Sequence, residues 1–291
     1  MVSERSLIAE SGGPYMAFSP VLGARLVIVL VLVAVSAVLL ARRKVHARLR
    51  NTIMAVVVAV LGFGFAMLGP KTLDPNPVFA LRSALRAILG KLPPPQASMG
   101  TVMLGMLGVM LLAGWISNKG ICGWACQLGL LQDILHQNRL KKAKPPFWLT
   151  NSIRVLAFVL LVLGVSSYGF DWIGVVDPFA VFRLALAPLA LVFVIAVLAG
   201  SMFMYRPWCQ LFCPFGLVSW LLEQVSILRP RVDKELCIDC KLCVRACPAH
   251  AMADMLAEKK IHADCFACGA CLAACPRKGA LLWRPSRKQG V

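Results

Sequence analysis

Five apolar runs mark the chain, at about 21–41, 52–69, 99–117, 152–169 and 185–205, the second and fourth being the shortest. A helix crosses a bilayer with about 17 to 25 apolar residues, so each run is long enough, or nearly so, to span. Lipid offers no partner to unpaired backbone, so each run is expected to be helical. After the last run the pattern changes to short polar stretches dense in cysteine. The expected fold is an all-α membrane helix bundle of about five transmembrane helices with a small cysteine-rich carboxy-terminal domain. Its divisions fall at 1–51 (amino-terminal segment, first span and basic turn), 52–228 (membrane core) and 229–291. Between the second and third spans Leu81, Leu85, Ile88, Leu89 and Leu92 recur at helical spacing with Arg82, Arg86 and Lys91 among them. This predicts an amphipathic helix over 78–92 on the outer surface, ended by Pro93, Pro94 and Pro95.

Composition supports the membrane reading: 59% of residues are apolar and the mean hydropathy is +0.76. The formal net charge of +18 raises the question of nucleic acid, but its distribution answers it. Segments 42–51, 118–151 and 206–291 hold 23 of the 31 Lys and Arg residues; segments 1–20, 70–98 and 170–184 hold 6. By the positive-inside rule the first group is cytoplasmic, which puts the amino terminus outside and the cysteine-rich tail inside the cytoplasmic membrane. The charge then reports topology and attracts anionic lipid headgroups; it does not point to nucleic acid. The first span carries its basic cluster behind it, so it is expected to be an uncleaved anchor.

The membrane core repeats itself. Asp74-Pro75 after the second span and Asp177-Pro178 after the fourth each precede a span that ends in Cys-x-x-x-Cys. The first ending is Cys122 and Cys126, the second Cys209 and Cys213, 87 residues apart, and Ile134-Leu135 matches Leu221-Leu222 at the same offset. Two hairpins in one orientation would be related by an axis along the membrane normal. A spacing of i and i+4 puts each pair on one face of a helix end, and the duplication would bring all four sulfurs together at the mouth of the bundle. Four converging thiolates suit a third iron-sulfur cluster, another metal, or redox-active thiols.

Cys237, Cys240, Cys243, Cys247 and Pro248 form the first copy of Cys-x-x-Cys-x-x-Cys-x-x-x-Cys-Pro; Cys265, Cys268, Cys271, Cys275 and Pro276 form the second. This is the spacing by which bacterial ferredoxins hold two 4Fe-4S clusters, with the fourth cysteine of each run serving the other cluster, so the carboxy-terminal domain is expected to be ferredoxin-like. Ligation is expected to cross: Cys237, Cys240, Cys243 and Cys275 on one cluster, Cys265, Cys268, Cys271 and Cys247 on the other. Zinc ribbons and disulfides are the rival readings, but zinc signatures lack the third cysteine and the proline.

Membrane helices, two Cys-x-x-x-Cys pairs and a carboxy-terminal double-cluster motif resemble the NapH/MauN family, the ferredoxin-type membrane subunits of quinol dehydrogenases, whose core is shared by NosR and CcoG-like proteins. The resemblance covers roughly residues 52–283; Cys209-x-x-x-Cys213-Pro214 fits fully, whereas Gln127 stands where the family has proline after Cys126. It implies electron transfer from membrane quinol through the clusters to a separate redox protein, an iron-sulfur protein or a cytochrome. Two alternatives remain: a maturation factor reducing a metal or thiol during assembly of another enzyme, or reduction of quinone by cytoplasmic electrons. A quinone site needs an apolar crevice with a few ionisable groups. Candidates on the outer side are Asp74, Asp171, Trp172, Asp177 and Arg183; on the inner side Asp133, His136, Trp220 and Glu223 lie on the helices after the cysteine pairs, where headgroup contact is the plainer expectation. Arg25 and Arg154 are expected to snorkel, and His250 and His262 to sit in solvated loops.

Overall fold

The computed structural model describes residues 20–67, 76–91, 97–184 and 186–285. Helix α1 (Pro20–Ala41) is followed by α2 (Ala47–Val57), which runs on through a wider-wound stretch, Val58–Gly64. Next come α3 (Pro77–Ile88), α4 (Ala97–Ser117), α5 (Gln127–His136) and α6 (Phe147–Leu163), the last extended by Gly164–Tyr168. A short α7 (Trp172–Val176) and a tight turn (Pro178–Arg183) lead to α8 (Pro188–Ser201), α9 (Pro207–Leu211) and α10 (Pro214–Glu223). Among the described residues four helices are long and apolar enough to cross a membrane, Gly23–Ala41, Ala47–Gly64, Gly100–Ser117 and Phe147–Tyr168, or five if the bent pair Trp172–Arg183 and Pro188–Ser201 is one span. Their outward faces carry Val27, Val31, Val35, Leu156 and Leu160 exposed, as lipid-facing positions require.

Three expectations about the spans change. The second and fourth begin upstream of their apolar runs, at Ala47 and Phe147; the second is still short at 18 residues, whereas the fourth reaches 22. The fifth is not one straight helix: Trp172–Arg183 and Pro188–Ser201 meet at a bend of 73°, and Pro188 and Pro207 each start a new helix. The helix expected over 78–92 is α3, and it packs into the bundle against α4 and α10 with Val78, Ala80 and Ala84 buried. Arg82 is drawn inward to Asp171, its Nε donating to Oδ2 at 2.6 Å. Asn76 caps this helix by accepting the Phe79 N–H at 2.6 Å, ahead of Pro77. Asn76→Ala is expected to cost about 0.5–2 kcal/mol of stability, read as a lowered unfolding midpoint in detergent. Asp74 and Pro93–Pro95 lie outside the described residues.

The carboxy-terminal domain is closed by β1 (Leu228–Val232) and β2 (Leu281–Pro285), paired antiparallel with Pro230 opposite Trp283. Between the strands lie α11 (Leu242–Ala246), α12 (Ala251–Leu256) and α13 (Ala270–Ala274). The core of this domain, Trp283, Leu281, Leu272 and Met252, is continuous with Leu40, Val45 and Trp124 of the membrane part.

Candidate metal centres

Both ferredoxin-type motifs have one backbone shape. Asp239 and Lys241 in the first copy, and Ala267 and Gly269 at the same places in the second, take left-handed conformations between the cysteines. These alternating turns curl each loop, and a short helix then carries the third cysteine away from the fourth. Cys243 and Cys271 lie in α11 and α13, with Cys247 and Cys275 just beyond their ends. Cys237, Cys240, Cys243 and Cys275 line one cavity. Cys247, Cys265, Cys268 and Cys271 line a second, walled by Phe266, Met252, Met255 and Trp283. Among the described residues no three His, Cys, Asp or Glu side chains stand close enough for a single metal ion. The two cysteine sets are instead spread around voids, a spacing that fits a multi-iron cube better than zinc. Cys240 is exposed and Cys271 buried, so the first cavity lies nearer the surface and the second nearer the bundle.

The other four cysteines are buried within the membrane part. They do not share one helix face. Cys122 sits in a wide turn (Ile121–Ala125) and Cys209 in α9, whereas Cys126 and Cys213 are extended residues capping α5 and α10. Gln127 in place of proline leaves this geometry unchanged, with ψ 106° at Cys126 and 114° at Cys213. The pairs converge: burial first, and then the neighbouring Cys213, Cys126 and Cys122 sulfurs, push the Cys209 thiol well up. Burial likewise pushes Cys126 up to about 12, so without a metal these thiols keep their protons at neutral pH.

Cations hold this region together across the repeat, and the sequence reading missed them. Lys119 and Arg206, each three residues ahead of a cysteine pair and 87 residues apart, are fully buried in left-handed conformations. Arg206 clamps Asp133 of α5 through Nε and Nη2, both at 2.6 Å, and donates to the Cys122 carbonyl. Arg50 reaches the same carboxylate at 2.6 Å. Burial pushes the Asp133 carboxyl up, but the two arginines outweigh it and the net shift is down. Lys119 pairs with Glu223 of α10 at 3.2 Å and with Asp264, which also takes Arg154 at 3.1 Å. Each repeat's cation therefore binds the acid on the other repeat's helix. Asp133 and Glu223 consequently do not face headgroups, and Arg154, with 0% exposure, does not snorkel. Arg25 is buried too, 4.6 Å from the Phe65 ring centroid. The one available signal was the repeat itself, since Lys119 and Arg206 are mates at the offset that relates the cysteines.

The second cluster loop is seated directly on the first cysteine turn. Trp124 Nε1 donates to the Ala267 carbonyl at 2.8 Å, and Gly123 lies against the Phe266 carbonyl. Glu223 Oε1 accepts the Cys265 N–H at 2.6 Å and lies 3.4 Å from His262 Nδ1, so His262 is buried rather than in a solvated loop; His250 is half-buried. Trp220 donates to the His262 carbonyl at 2.9 Å. His136 and Tyr205 stack edge to face, their ring centroids 5.3 Å apart. Asp171 caps α7 through the Gly174 N–H, Asp177 accepts from Phe179 and pairs with Arg183 at 3.5 Å, and Trp172 packs edge to face on Phe212, the residue before Cys213, with ring centroids 6.5 Å apart.

Residues 229–276 match the 4Fe-4S dicluster domain family, and one further family, the 4Fe-4S binding domain, matches twice, at 99–146 and 186–234. The two matches begin 87 residues apart, at the spacing of the cysteine pairs. Relatives include YccM of Escherichia coli (25% identical, 65% of this chain, 56% of that protein) and the ferredoxin-type protein NapH of Haemophilus influenzae (25%, 60% and 66%). NirI of Paracoccus denitrificans is 28% identical over 45% of this chain and 21% of its own length. The chain is a homologue of NapH and NirI. It carries one 4Fe-4S dicluster match and two 4Fe-4S binding-domain matches together with helices of membrane-spanning length. The chain spans little more than half of YccM. No solved structure gives a significant match.

Proposed function

We propose that this chain is a membrane electron relay that takes electrons from quinol and passes them to a separate redox protein. The observation that supports it is the grouping of all twelve cysteines into three sets of four that adjoin one another. Cys237, Cys240, Cys243 and Cys275 hold one cluster, and Cys265, Cys268, Cys271 and Cys247 a second. Cys122, Cys126, Cys209 and Cys213 hold a third. A 4Fe-4S cluster carries one electron at a time, which suits dividing the two electrons of a quinol. The protein's own part is to position and to balance charge. Four buried thiolates add negative charge to an apolar bundle, and Lys119, Arg206 and Arg154 sit beside them to offset it. The loop carrying Cys265 to Cys271 rests on the turn carrying Cys122, so the three sets stand in sequence from the bundle to the exposed Cys240. That exposed end is the natural place for the redox partner. Charge bias puts this end on the cytoplasmic side.

Iron quantitation with EPR tests the relay: about twelve irons per chain are expected, and about eight would remove the third cluster. Cys275→Ser is expected to lose about four irons and the signal of the outer cluster while the inner signals persist. Clusters that form but stay oxidised with a quinol analogue and the partner both present would overturn the quinol reading.

A further inference from the structure

A cleft of about 520 Å³ opens where the membrane part meets the cluster domain. That volume lies within the roughly 300–1,000 Å³ of small-molecule sites. One wall is small and apolar: Ala246, Pro248, Gly269, Ala270, Ala273 and Ala274 of the cluster domain. The rest of the lining carries Arg50, Asp133, His136 and Tyr205, with Val45, His46, Ala47 and Asn51 around the start of α2. Cys268 lines both this cleft and the cavity of the second cysteine set, as do Tyr205, Pro248 and Gly269, so the two adjoin. Apolar walls facing a few convergent polar groups are the usual make-up of a ligand site.

Two polar groups of that lining are Tyr205 and His136. The Tyr205 hydroxyl is buried close to the Asp133 carboxylate, and its ring is held between His136 and Phe266 at centroid distances of 5.3 and 5.7 Å. His136 Nδ1–H donates to the Ser201 carbonyl at 3.2 Å, the tautomer that leaves Nε2 as an acceptor. Asp133, by contrast, is committed to Arg206 and Arg50. The candidates Asp171 and Asp177 are committed as well, the first to Arg82 and a helix cap, the second to a cap and Arg183.

We infer that this cleft is the quinol site: the quinol head group lies between the alanine wall and His136, within reach of Tyr205, and its electrons leave past Cys268. The inference rests on the quinol reading above and adds the location. In the balanced step both O–H bonds of the quinol break and quinone forms. One proton goes to His136 Nε2 and on to water and the other directly to water at the open rim; the two electrons would leave singly toward the cysteine sets, where two oxidised 4Fe-4S clusters would each take up one.

The test uses the full chain with its clusters in lipid nanodiscs and a photoreactive azidoquinone whose cross-links are mapped by mass spectrometry. Labelling is expected within residues 44–51, 127–142 or 268–274, and unlabelled quinone should compete for it. Ala273→Trp, which fills the cleft, and His136→Phe should each weaken quinone binding at least tenfold with iron content unchanged; using two variants guards against one failing to fold. Labelling confined to residues 168–184, undiminished in Ala273→Trp, would overturn the location and keep quinol as the donor. Absence of labelling together with clusters that quinol does not reduce would overturn both.

Discussion

Gly123→Ala is expected to unseat the cluster domain from the membrane part. A Cβ at this position would be driven into the Phe266 carbonyl oxygen, with the carbonyl carbon at 3.2 Å and Ala267 Cβ at 3.5 Å behind it. Both sides of the contact are backbone, so no rotamer change relieves it and one loop must move. Overpacking of this kind costs about 1–3 kcal/mol and sometimes more; a backbone clash belongs at the upper end. The displaced loop is the one between Cys265 and Cys268, so the Trp124 hydrogen bond to Ala267 would be lost with it. Gly105→Ala in α4, where an added Cβ meets nothing within 4 Å, is the matched control. Limited proteolysis should cut the Gly123→Ala protein between bundle and cluster domain and leave the Gly105→Ala protein whole. EPR should show weakened coupling between the bundle cluster and the loop cluster. Equal resistance of the two proteins would mean that the domain is not seated on this turn.

Much of this arrangement is legible in the chain because its signals are local. Apolar runs of fixed length can only be helices in lipid, and the double Cys-Pro motif carries its own loop geometry, repeated down to the left-handed residues at matching places. Duplication is visible as an offset of 87 residues, and one family matches both copies. What could not be read is whatever depends on where the helices after the cysteine pairs go. As amphipathic segments ending in Asp133 and Glu223 they suggest a headgroup surface. They enter the bundle because Arg206 and Lys119, far away in sequence, neutralise those acids inside it. The same long-range pairing decides Arg154, which a hydropathy plot places at a span end and the fold places against Asp264. The cleft beside Cys268 is built from segments more than 200 residues apart in the chain, so no window along the sequence contains it.

Lys119→Met should be among the most damaging single changes outside the cysteines. The Lys119 ammonium is fully buried between Glu223 and Asp264, both also buried. Burial alone would push it toward the neutral amine, but Asp264 and then Glu223 reverse that and its net shift is up, so it is a held cation. Removing it leaves Asp264 with Arg154 alone and Glu223 with His262, whose Nδ1 lies at 3.4 Å and whose imidazole is pushed toward the neutral form by burial. Burial already pushes Glu223 up to about 8, and without Lys119 it is pushed further and takes up a proton at a cost, so the penalty is shared between Glu223 and Asp264. Breaking a buried pair by deleting one partner costs about 3–5 kcal/mol, and a well-packed apolar replacement of both partners recovers much of it. Denaturant titration in detergent should therefore show a large loss for Lys119→Met and a smaller one for Lys119→Met combined with Glu223→Leu. The exposed pair Lys234 with Glu258, 2.7 Å apart, should show little change on Lys234→Met, because solvent screens it. If the double substitution is no more stable than Lys119→Met, the two charges are not coupled and the cross-repeat pairing does not hold the bundle. If it recovers stability but the bundle cluster is lost, the cation is needed for the charge of the four thiolates as well as for Glu223.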